Sequence, residues 1–320
     1  MAKVNEKING SIVLPSLSET SRKETFATKD KTFVFVQTLS YLVTLLFSVA
    51  CIFPFVLIVS SSLTDEKSII LHGFSLIPRK FSVAAYQLIF NNLRQIVGTY
   101  LVTIVMTVVG TIIGLFLISM TGYALQRPDF KYRNIISFYI YFTTLFSGGL
   151  IPFYLLITQF LKLKDNYLSI LLPLLMSPWL IILMKNFLRS IPHSITESAK
   201  IDGASDFRIF LQIIFPMAKP ALATVGLFLA LSYWNEWYYA MLFLTSKVEY
   251  KTLQLFLYTT INEAQYIRES AAAANITAIE IPMESMKMAT AVVATGPIIF
   301  VYPFVQKYFV QGITIGAVKG

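Results

Sequence analysis

Charge-free apolar stretches alternate with charged connections along this chain. A helix needs about 20 apolar residues to cross the hydrocarbon of a bilayer. Stretches of about that length or longer occur at 32–64, 95–126, 134–161, 166–184, 220–246 and 288–306, and only Glu236 interrupts the fifth of them. Gly110 and Gly114, in the second stretch, either let two membrane helices approach closely or are ordinary glycines of a membrane helix. The pattern predicts an all-α membrane protein with six transmembrane helices.

The composition indicates that lipid is the main solvent of this chain. Hydrophobic residues make up 56% of it and charged residues 13%, whereas soluble domains carry about 25% charged residues. The mean hydropathy is +0.66. No basic cluster is interleaved with base-stacking aromatic residues, so the net charge of +9 does not indicate nucleic-acid binding. Positive loops that face anionic lipid account for it better.

Lysines and arginines are distributed unevenly between the two sides of the predicted bundle. With six crossings, 16 of them lie on the side of both termini and 10 on the other side. This excess predicts that both termini are cytoplasmic. Residues 1–31 are then a cytoplasmic tail, 32–64 the first transmembrane helix, and 307–320 a second cytoplasmic tail. The apolar run of the first helix is far longer than the core of a signal peptide.

Residues that could carry out chemistry are scarce. Cys51 is the only cysteine, and His72 and His193 are far apart in sequence, so neither a disulfide nor a metal site is predicted. The sequence has no G-x-x-x-x-G-K-S/T phosphate loop, no Ser/His/Asp set and no carboxylate pair. We predict no catalytic residues and no cofactor in this chain. Any ATP, with its magnesium, must be bound and hydrolysed on a separate subunit.

The connection at 192–220 does not resemble a flexible linker. Pro192 suits the first turn of a helix and Gly203 its C-terminal end, while Ser205 is placed to cap a second helix. An apolar stripe at helical spacing follows at Phe207, Phe210, Leu211 and Ile214. The pattern predicts two short helices with a sharp turn between them. They form either a compact element that transmits force or an interfacial helix that lies on lipid.

The residues of this loop carry a family resemblance. Glu197-Ser198-Ala199-Lys200-Ile201-Asp202-Gly203-Ala204, followed by Ile213-Ile214-Phe215-Pro216, resembles the EAA loop of importer-type ABC permeases. Ser198 stands where that pattern has a second alanine, and Phe215 where it usually has leucine. The resemblance implies the type I ABC importer permease fold, with 95–306 as its core. It also implies that this loop couples to an ATPase through Glu197, Ser198, Ala199, Asp202 and Gly203.

Further motifs extend the resemblance over about residues 33–320. The run from Phe146 to Tyr154, with its Gly-Gly-Leu-Ile-Pro core, and Trp234-Asn235-Glu236-Trp237 are similar to segments of carbohydrate-uptake permeases related to the maltose system, in their lipo-oligosaccharide and polysaccharide branch. This likeness implies a multi-pass protein of the bacterial cell membrane that imports an oligosaccharide or polysaccharide fragment. The implied partners are a second homologous permease, two ATPase subunits and an extracellular sugar-binding protein.

A substrate path is predicted at two places in the spans. Gly148 and Gly149 either break the third span and expose carbonyl groups to the path or form a plain kink. Trp234, Asn235 and Glu236 either line the path or contact the partner permease. On a continuous helix, Glu236 lies ~24 Å from Pro220, in the outer half of the bilayer. The outer loops 65–94 and 247–287 either dock the binding protein or pack over the bundle.

Two other classes of protein remain as alternatives to a permease subunit. A secondary transporter needs buried charges for ion coupling, and the predicted spans offer only Glu236. A membrane-embedded enzyme or a structural anchor would leave the two-helix loop without a role, and an enzyme would also need a catalytic set. Whether ATPase subunits accompany the chain distinguishes a permease subunit from these alternatives.

Overall fold

The computed structural model describes residues 31–273 and 281–317. The regular elements in these residues are helices. In addition, Thr64 and Phe81 form one isolated antiparallel bridge. The chain divides into two units, Met1–Phe55 and Val56–Gly320, and the contacts and sites described below lie within the second. The helices are α1 Lys31–Ser62, α2 Glu66–His72, α3 Ala84–Ile89, α4 Leu93–Gln126, α5 Arg133–Leu145, α6 Leu150–Leu155, α7 Leu168–Leu175, α8 Pro178–Leu188, α9 His193–Ile201, α10 Asp206–Ile209, α11 Phe215–Met217, α12 Lys219–Trp234, α13 Tyr238–Phe243, α14 Leu253–Ala273 and α15 Met283–Ala317. Single π-helical turns follow α6 at Leu156–Phe160 and α10 at Phe210–Ile214.

Several helices are long and apolar enough to cross a membrane. Three qualify alone: Val34–Ser62, Leu93–Gln126 and Leu168–Leu188. Two bent pairs qualify as broken spans: Arg133–Leu145 with Leu150–Phe160, bent by 113°, and Asp206–Met217 with Lys219–Trp234, bent by 85°. The described part of the chain therefore offers between three and five crossings. The sixth predicted crossing lies within α15, and the count of six and the side of the termini stay predictions.

Helix α4 is the element against which α7, α8 and α12 pack. Its glycines permit this packing. A Cβ atom on Gly110 would lie 2.4 Å from the ring of Tyr233, and one on Gly114 would lie 2.9 Å from the carbonyl oxygen of Leu175. Any larger residue would hold the helices apart. The predicted close approach at Gly110 and Gly114 is confirmed.

Two neighbouring helices donate hydrogen bonds to the backbone of α15 just before Pro297. Pro297 has no N–H to donate to the carbonyl of Val293, one turn earlier. The Tyr100 hydroxyl of α4 donates to that carbonyl instead, at 2.8 Å. The indole N–H of Trp234, at the end of α12, donates to the next carbonyl, that of Ala294, at 3.0 Å. Side chains of α4 and α12 therefore satisfy the backbone of α15 beside its proline.

The start of α15 is capped by a residue from the other end of this unit. The Glu66 carboxylate, at the start of α2, accepts hydrogen bonds from the N–H of Glu284 at 2.9 Å and from the N–H of Ser285 at 3.0 Å. The Ser285 hydroxyl donates to the same carboxylate at 3.1 Å. A carboxylate satisfies the free amides of a helix N-terminus and interacts favourably with its dipole. Glu66 thus fixes α15 against the segment that follows α1.

The fifth predicted span is not one continuous helix, so its prediction is corrected. Helix α12 ends at Trp234, where the N–H of Asn235 closes the last turn on the carbonyl of Leu231 at 3.0 Å. A turn follows, and α13 begins at Tyr238. The Glu236 carboxylate accepts the N–H of Tyr239 at 2.5 Å and so satisfies an amide that the restarted helix leaves free. Glu236 therefore lies in a turn two residues beyond the end of α12 and not within a continuous helix, and its place in the outer half of the bilayer stays a prediction.

Candidate functional sites

The loop between α8 and α12 contains the sharp turn that the sequence predicts. Helix α9 ends at Ile201, and Gly203 adopts a left-handed conformation with φ of 80°. The N–H of Ala204 donates to the carbonyl of Ala199, and the N–H of Gly203 donates to that of Lys200, both at 3.0 Å. These two bonds form a Schellman motif, which usually has glycine at its left-handed position. The turn between α9 and α10 is therefore a defined backbone structure.

The second arm of this loop differs from its predicted form. Ser205 occupies the cap position of α10, but its carbonyl, not its side chain, accepts the N–H of Ile209 at 2.9 Å. The predicted apolar stripe is also partly wrong, because Phe207 is 58% exposed and Leu211 is 44% exposed. The buried side chains are those of Ile209, Phe210 and Ile214. The π-helical turn at Phe210–Ile214 changes the helical spacing and so moves the buried face.

A network of four charged side chains joins this loop to the end of α4. Arg127, the residue after α4, forms ion pairs with Asp129 and with Asp206 of α10, the latter at 2.7 Å. Lys200 of α9 forms an ion pair with Asp129 at 2.8 Å and lies 3.6 Å from Asp206. The Arg127 side chain is mostly buried, and its guanidinium lies 5.7 Å from the ring centre of Tyr123 in α4. Arg127 is thus the buried centre of the network.

Arg127 also sets the protonation of the network. Its hydrogen bonds hold the pKa of the Asp129 and Asp206 carboxyl groups below the usual range. A folded-state pKa below the unfolded value of about 3.9 gives stabilisation that is present above that pH and is lost as the pH falls below it. The network is therefore fully charged near neutral pH and weakens only in acid.

The residues predicted to meet an ATPase lie on two faces of α9 and its turn. Glu197, Ser198, Asp202 and Gly203 are exposed, and Ala199 is buried in the core beside α4. Ile201 lies between them with 85% of its side chain exposed. Ile201 is not among the residues that the sequence predicted to meet an ATPase. The sequence did carry a signal for Ile201, because it is an apolar residue between the polar residues Lys200 and Asp202.

A second candidate site lies at the break in the third predicted span. Gly149 has φ of 89°, and the chain bends by 113° between α5 and α6. The break at Gly148 and Gly149 is therefore more than a plain kink. It opens a cavity of about 540 Å³ whose lining includes both glycines together with Tyr238 and Tyr239 of α13. Phe153, also in the lining, contacts the Tyr239 ring with 5.5 Å between centres.

Trp234, Asn235 and Glu236 are not among the residues that line this cavity. Trp234 is buried against α15, and the Glu236 carboxylate is bonded to the backbone at the start of α13. Asn235 is exposed at the end of α12. In the described chain these three residues form the turn between α12 and α13. This turn places Tyr238 and Tyr239 in the cavity wall, and sequence reasoning missed these two tyrosines. The signal was available, because the two tyrosines directly follow the Trp-Asn-Glu-Trp run.

Residues 110–315 match the model of the family described as binding-protein-dependent transport system inner membrane component. The chain belongs to this family. As an inner membrane component it is a multi-pass protein of the cell membrane and a transport subunit. The EAA-like loop and the Gly-Gly break both fall within the matched residues.

Curated relatives of this transport component match over most of their length. It is 37% identical over 276 residues to the polygalacturonan/rhamnogalacturonan transport system permease protein YtcP of Bacillus subtilis, which covers 86% of this chain and 95% of the relative. It is 35% identical to the protein LplC of the same organism, over 84% of this chain and 90% of the relative. A solved bacterial ABC transporter involved in the import of the acidic polysaccharide alginate has a chain with a TM-score of 0.72 and 33% identity, covering 87% of this chain and 98% of that one. The inner membrane component therefore has the type I ABC importer permease fold.

Proposed function

We propose that this inner membrane component is one of two permease subunits that together form the import path for an oligosaccharide or polysaccharide fragment. Cytoplasmic ATPases drive the import through the loop around α9, and an extracellular sugar-binding protein delivers the substrate. The named substrates of similar proteins, polygalacturonan, rhamnogalacturonan and alginate, support a saccharide. The single observation that carries the coupling role is the Gly203 turn, because a defined turn bonded to α4 transmits displacement and a flexible linker does not.

The charge network gives the proposed route of that displacement. ATP and magnesium belong to the ATPase subunits, whose closure would press on the exposed side of α9, at Glu197, Ser198, Ile201 and Asp202. The turn passes the load to α10, and Asp206 and Lys200 pass it to Arg127 and Asp129 at the end of α4. Because α7, α8 and α12 pack on α4, a shift of α4 would tilt the helices between inward-facing and outward-facing states.

Co-purification and uptake together test this proposal. The chain is purified from its native membranes, the accompanying subunits are identified, and uptake of oligogalacturonides is measured in reconstituted vesicles with ATP on the cytoplasmic side. We expect ATPase subunits and a second permease to accompany the chain, and uptake to require ATP. Uptake that runs on an ion gradient with no ATPase attached would instead identify a secondary transporter and overturn the proposal.

Replacing Arg127 with glutamine is expected to separate ATP hydrolysis from uptake. The substitution leaves the carboxylates of Asp129 and Asp206 without their shared partner and loosens the bond between the loop and α4. Hydrogen bonds to charged groups contribute about 1.5–3 kcal/mol, less where the carboxylates are half exposed as here, so we expect uptake per ATP hydrolysed to fall roughly tenfold. Vesicle uptake and phosphate release are measured in parallel.

Arg94→Gln is the matched control for this variant. Arg94 is also an arginine in an ion pair, with Glu249 at 3.3 Å, but its side chain is 82% exposed and it does not contact the loop. We expect its uptake per ATP to remain at the wild-type value. An equal loss in the two variants, or none in Arg127→Gln, would remove the network from the proposed route.

The cavity at Gly148 and Gly149 is the proposed saccharide path in this subunit. Its wall combines backbone freed by the bend with the aromatic side chains of Phe153, Tyr238 and Tyr239, and aromatic faces stack on sugar rings. Tyr238→Ala removes apolar contact area worth about 1–2 kcal/mol, so we expect the substrate concentration for half-maximal uptake to rise roughly tenfold. Tyr139→Ala on α5, an exposed tyrosine outside the cavity lining, should leave that concentration unchanged. If both variants behave alike, the saccharide does not pass this wall.

A further inference from the structure

Three basic side chains converge where α5 and α8 pack against each other. Arg133 and Ser137 lie one turn apart on α5, and Lys185 and Arg189 lie one turn apart at the end of α8, so each pair shares a helical face. The Lys185 ammonium donates to the Ser137 hydroxyl at 2.7 Å. Because Arg133 lies one turn from Ser137 and Arg189 one turn from Lys185, both guanidinium groups lie on the side of the Lys185 ammonium and repel it. We call these four residues the α5–α8 basic cluster.

This cluster holds positive charge without a balancing carboxylate. Within residues 31–273 and 281–317, every ion pair that the structure records is made by other residues, and none joins Arg133, Lys185 or Arg189 to an acidic side chain. The Arg133 guanidinium donates to the backbone carbonyl of Arg127 at 3.3 Å, which neutralises no charge. Arg133 is also the first residue of α5, whose positive dipole end adds to the field. Although the C-terminal end of α8 favours cations such as Lys185 and Arg189, three neighbouring positive charges repel one another and favour an anion between them.

The surroundings of the cluster favour a lipid over a soluble anion or an acidic protein. The next turns of α5 present large apolar side chains, with Ile135 68% exposed and Phe138 67% exposed. Lys185 and Arg189 stand at the end of a candidate span, Leu168–Leu188, the position that headgroups occupy along a transmembrane helix. A ligand that combines a phosphate with acyl chains fits both the charge and the apolar surface beside it. Anionic lipids attract basic residues at such positions.

We propose that the α5–α8 basic cluster binds the phosphate of an anionic phospholipid headgroup. The three cations surround the phosphate oxygens, the Ser137 hydroxyl can donate to one of them, and the acyl chains lie along the exposed face of α5. The bound lipid joins α5, which leads to the Gly-Gly break, to α8, which leads into the loop at α9. This site does not depend on the proposed saccharide or on the ATPase.

Lipid retention measured on the intact transporter tests the site. The full chain, purified with the subunits that accompany it, is equilibrated with phosphatidylglycerol or phosphatidylcholine, and bound lipid is counted by native mass spectrometry. We expect wild-type protein to retain phosphatidylglycerol selectively. A Lys185→Gln/Arg189→Gln variant should lose roughly tenfold or more in that affinity, since each basic residue near an anionic lipid surface contributes several-fold. The control Lys162→Gln/Lys164→Gln removes the same charge from exposed positions before α7 and should bind as the wild type does.

The remaining measurements identify the source of the phosphate. Inorganic phosphate at a matched concentration should not compete for the site, and Arg189→Gln alone, an exposed position, should give a partial loss if the double variant folds poorly. The proposal would be overturned if wild-type protein retained the two lipids equally, or if the double variant retained as much phosphatidylglycerol as the wild type. It would also be overturned by full competition from inorganic phosphate, or by a loss of lipid binding only when the accompanying subunits are present. The last outcome would assign the cluster to an acidic protein partner.

Discussion

Valine in place of Gly203 is expected to abolish uptake while the chain still inserts into the membrane. The residue has φ of 80°, a region in which an ordinary side chain costs about 1–2 kcal/mol and a β-branched one costs more. No atom lies within 4 Å of the position that a Cβ would occupy, so the penalty comes from the backbone and not from a clash. Relief of that strain breaks the Ala204–Ala199 and Gly203–Lys200 hydrogen bonds, and the two arms of the loop lose their fixed angle. Uptake is measured in vesicles, and insertion by membrane fractionation.

Asparagine at the same position separates backbone geometry from side-chain size. Asparagine tolerates the left-handed conformation better than other residues with a Cβ, so Gly203→Asn should retain a substantial part of the uptake. If asparagine and valine abolish uptake equally, the surface of the turn is what matters and not its conformation. If valine leaves uptake intact, the turn is not the coupling element.

Alanine in place of Gly110 is expected to destabilise the whole bundle. Its Cβ would lie 2.4 Å from the ring of Tyr233, which is almost fully buried and whose hydroxyl donates to the carbonyl of Leu171 at 2.9 Å. The ring has no free space to enter, so α4 and α12 must separate. Overpacking of this kind costs about 1–3 kcal/mol or more, and we expect a lower unfolding temperature and a reduced yield of folded protein. Thermal unfolding of the purified transporter in detergent measures both.

Gly296→Ala on α15 is the matched control for the Gly110 variant. It is also a helical glycine, but no atom lies within 4 Å of its Cβ position. Alanine is favoured over glycine in a helix by about 0.5–1 kcal/mol, so this variant should unfold at the same or a higher temperature. A second test adds Tyr233→Leu to Gly110→Ala, and the double variant should lose less stability than the sum of the single changes. Additive losses would show that the ring does not restrict Gly110.

Local sequence signals were sufficient to predict the loop and its turn. Pro192 and Gly203 mark the ends of α9 through backbone constraints that act within a few residues, and such constraints are readable from a single sequence. Adjacent glycines act equally locally, and for this reason the sequence also offered a break at Gly148 and Gly149 as one of two alternatives. The periodicity of the second arm was misread because a π-helical turn changes the spacing at Phe210–Ile214, and apolar periodicity assumes a regular helix.

Side-chain bonds to backbone groups and to distant charged residues account for what the sequence did not predict. Trp234 and Glu236 had the residue types of a sugar site, but Trp234 is bonded to a carbonyl of α15 and Glu236 to the start of α13. The Arg127 network brings together residues from two connections that α5, α6, α7 and α8 separate in sequence, and no pattern within either connection indicates the pairing. The functional meaning of a polar residue in a membrane chain therefore depends on which backbone groups a neighbouring helix leaves unpaired.

The carboxylate of Glu66 has a consequence for the order in which the molecule is completed. It emerges from the ribosome more than two hundred residues before the amides of Glu284 and Ser285 that it caps. During synthesis it must stay hydrated, since its partners do not yet exist. Helix α15 can dock only after its first turn has been synthesised and its free amides can bind the Glu66 carboxylate. A chain truncated before Met283 would therefore leave Glu66 without these hydrogen bonds.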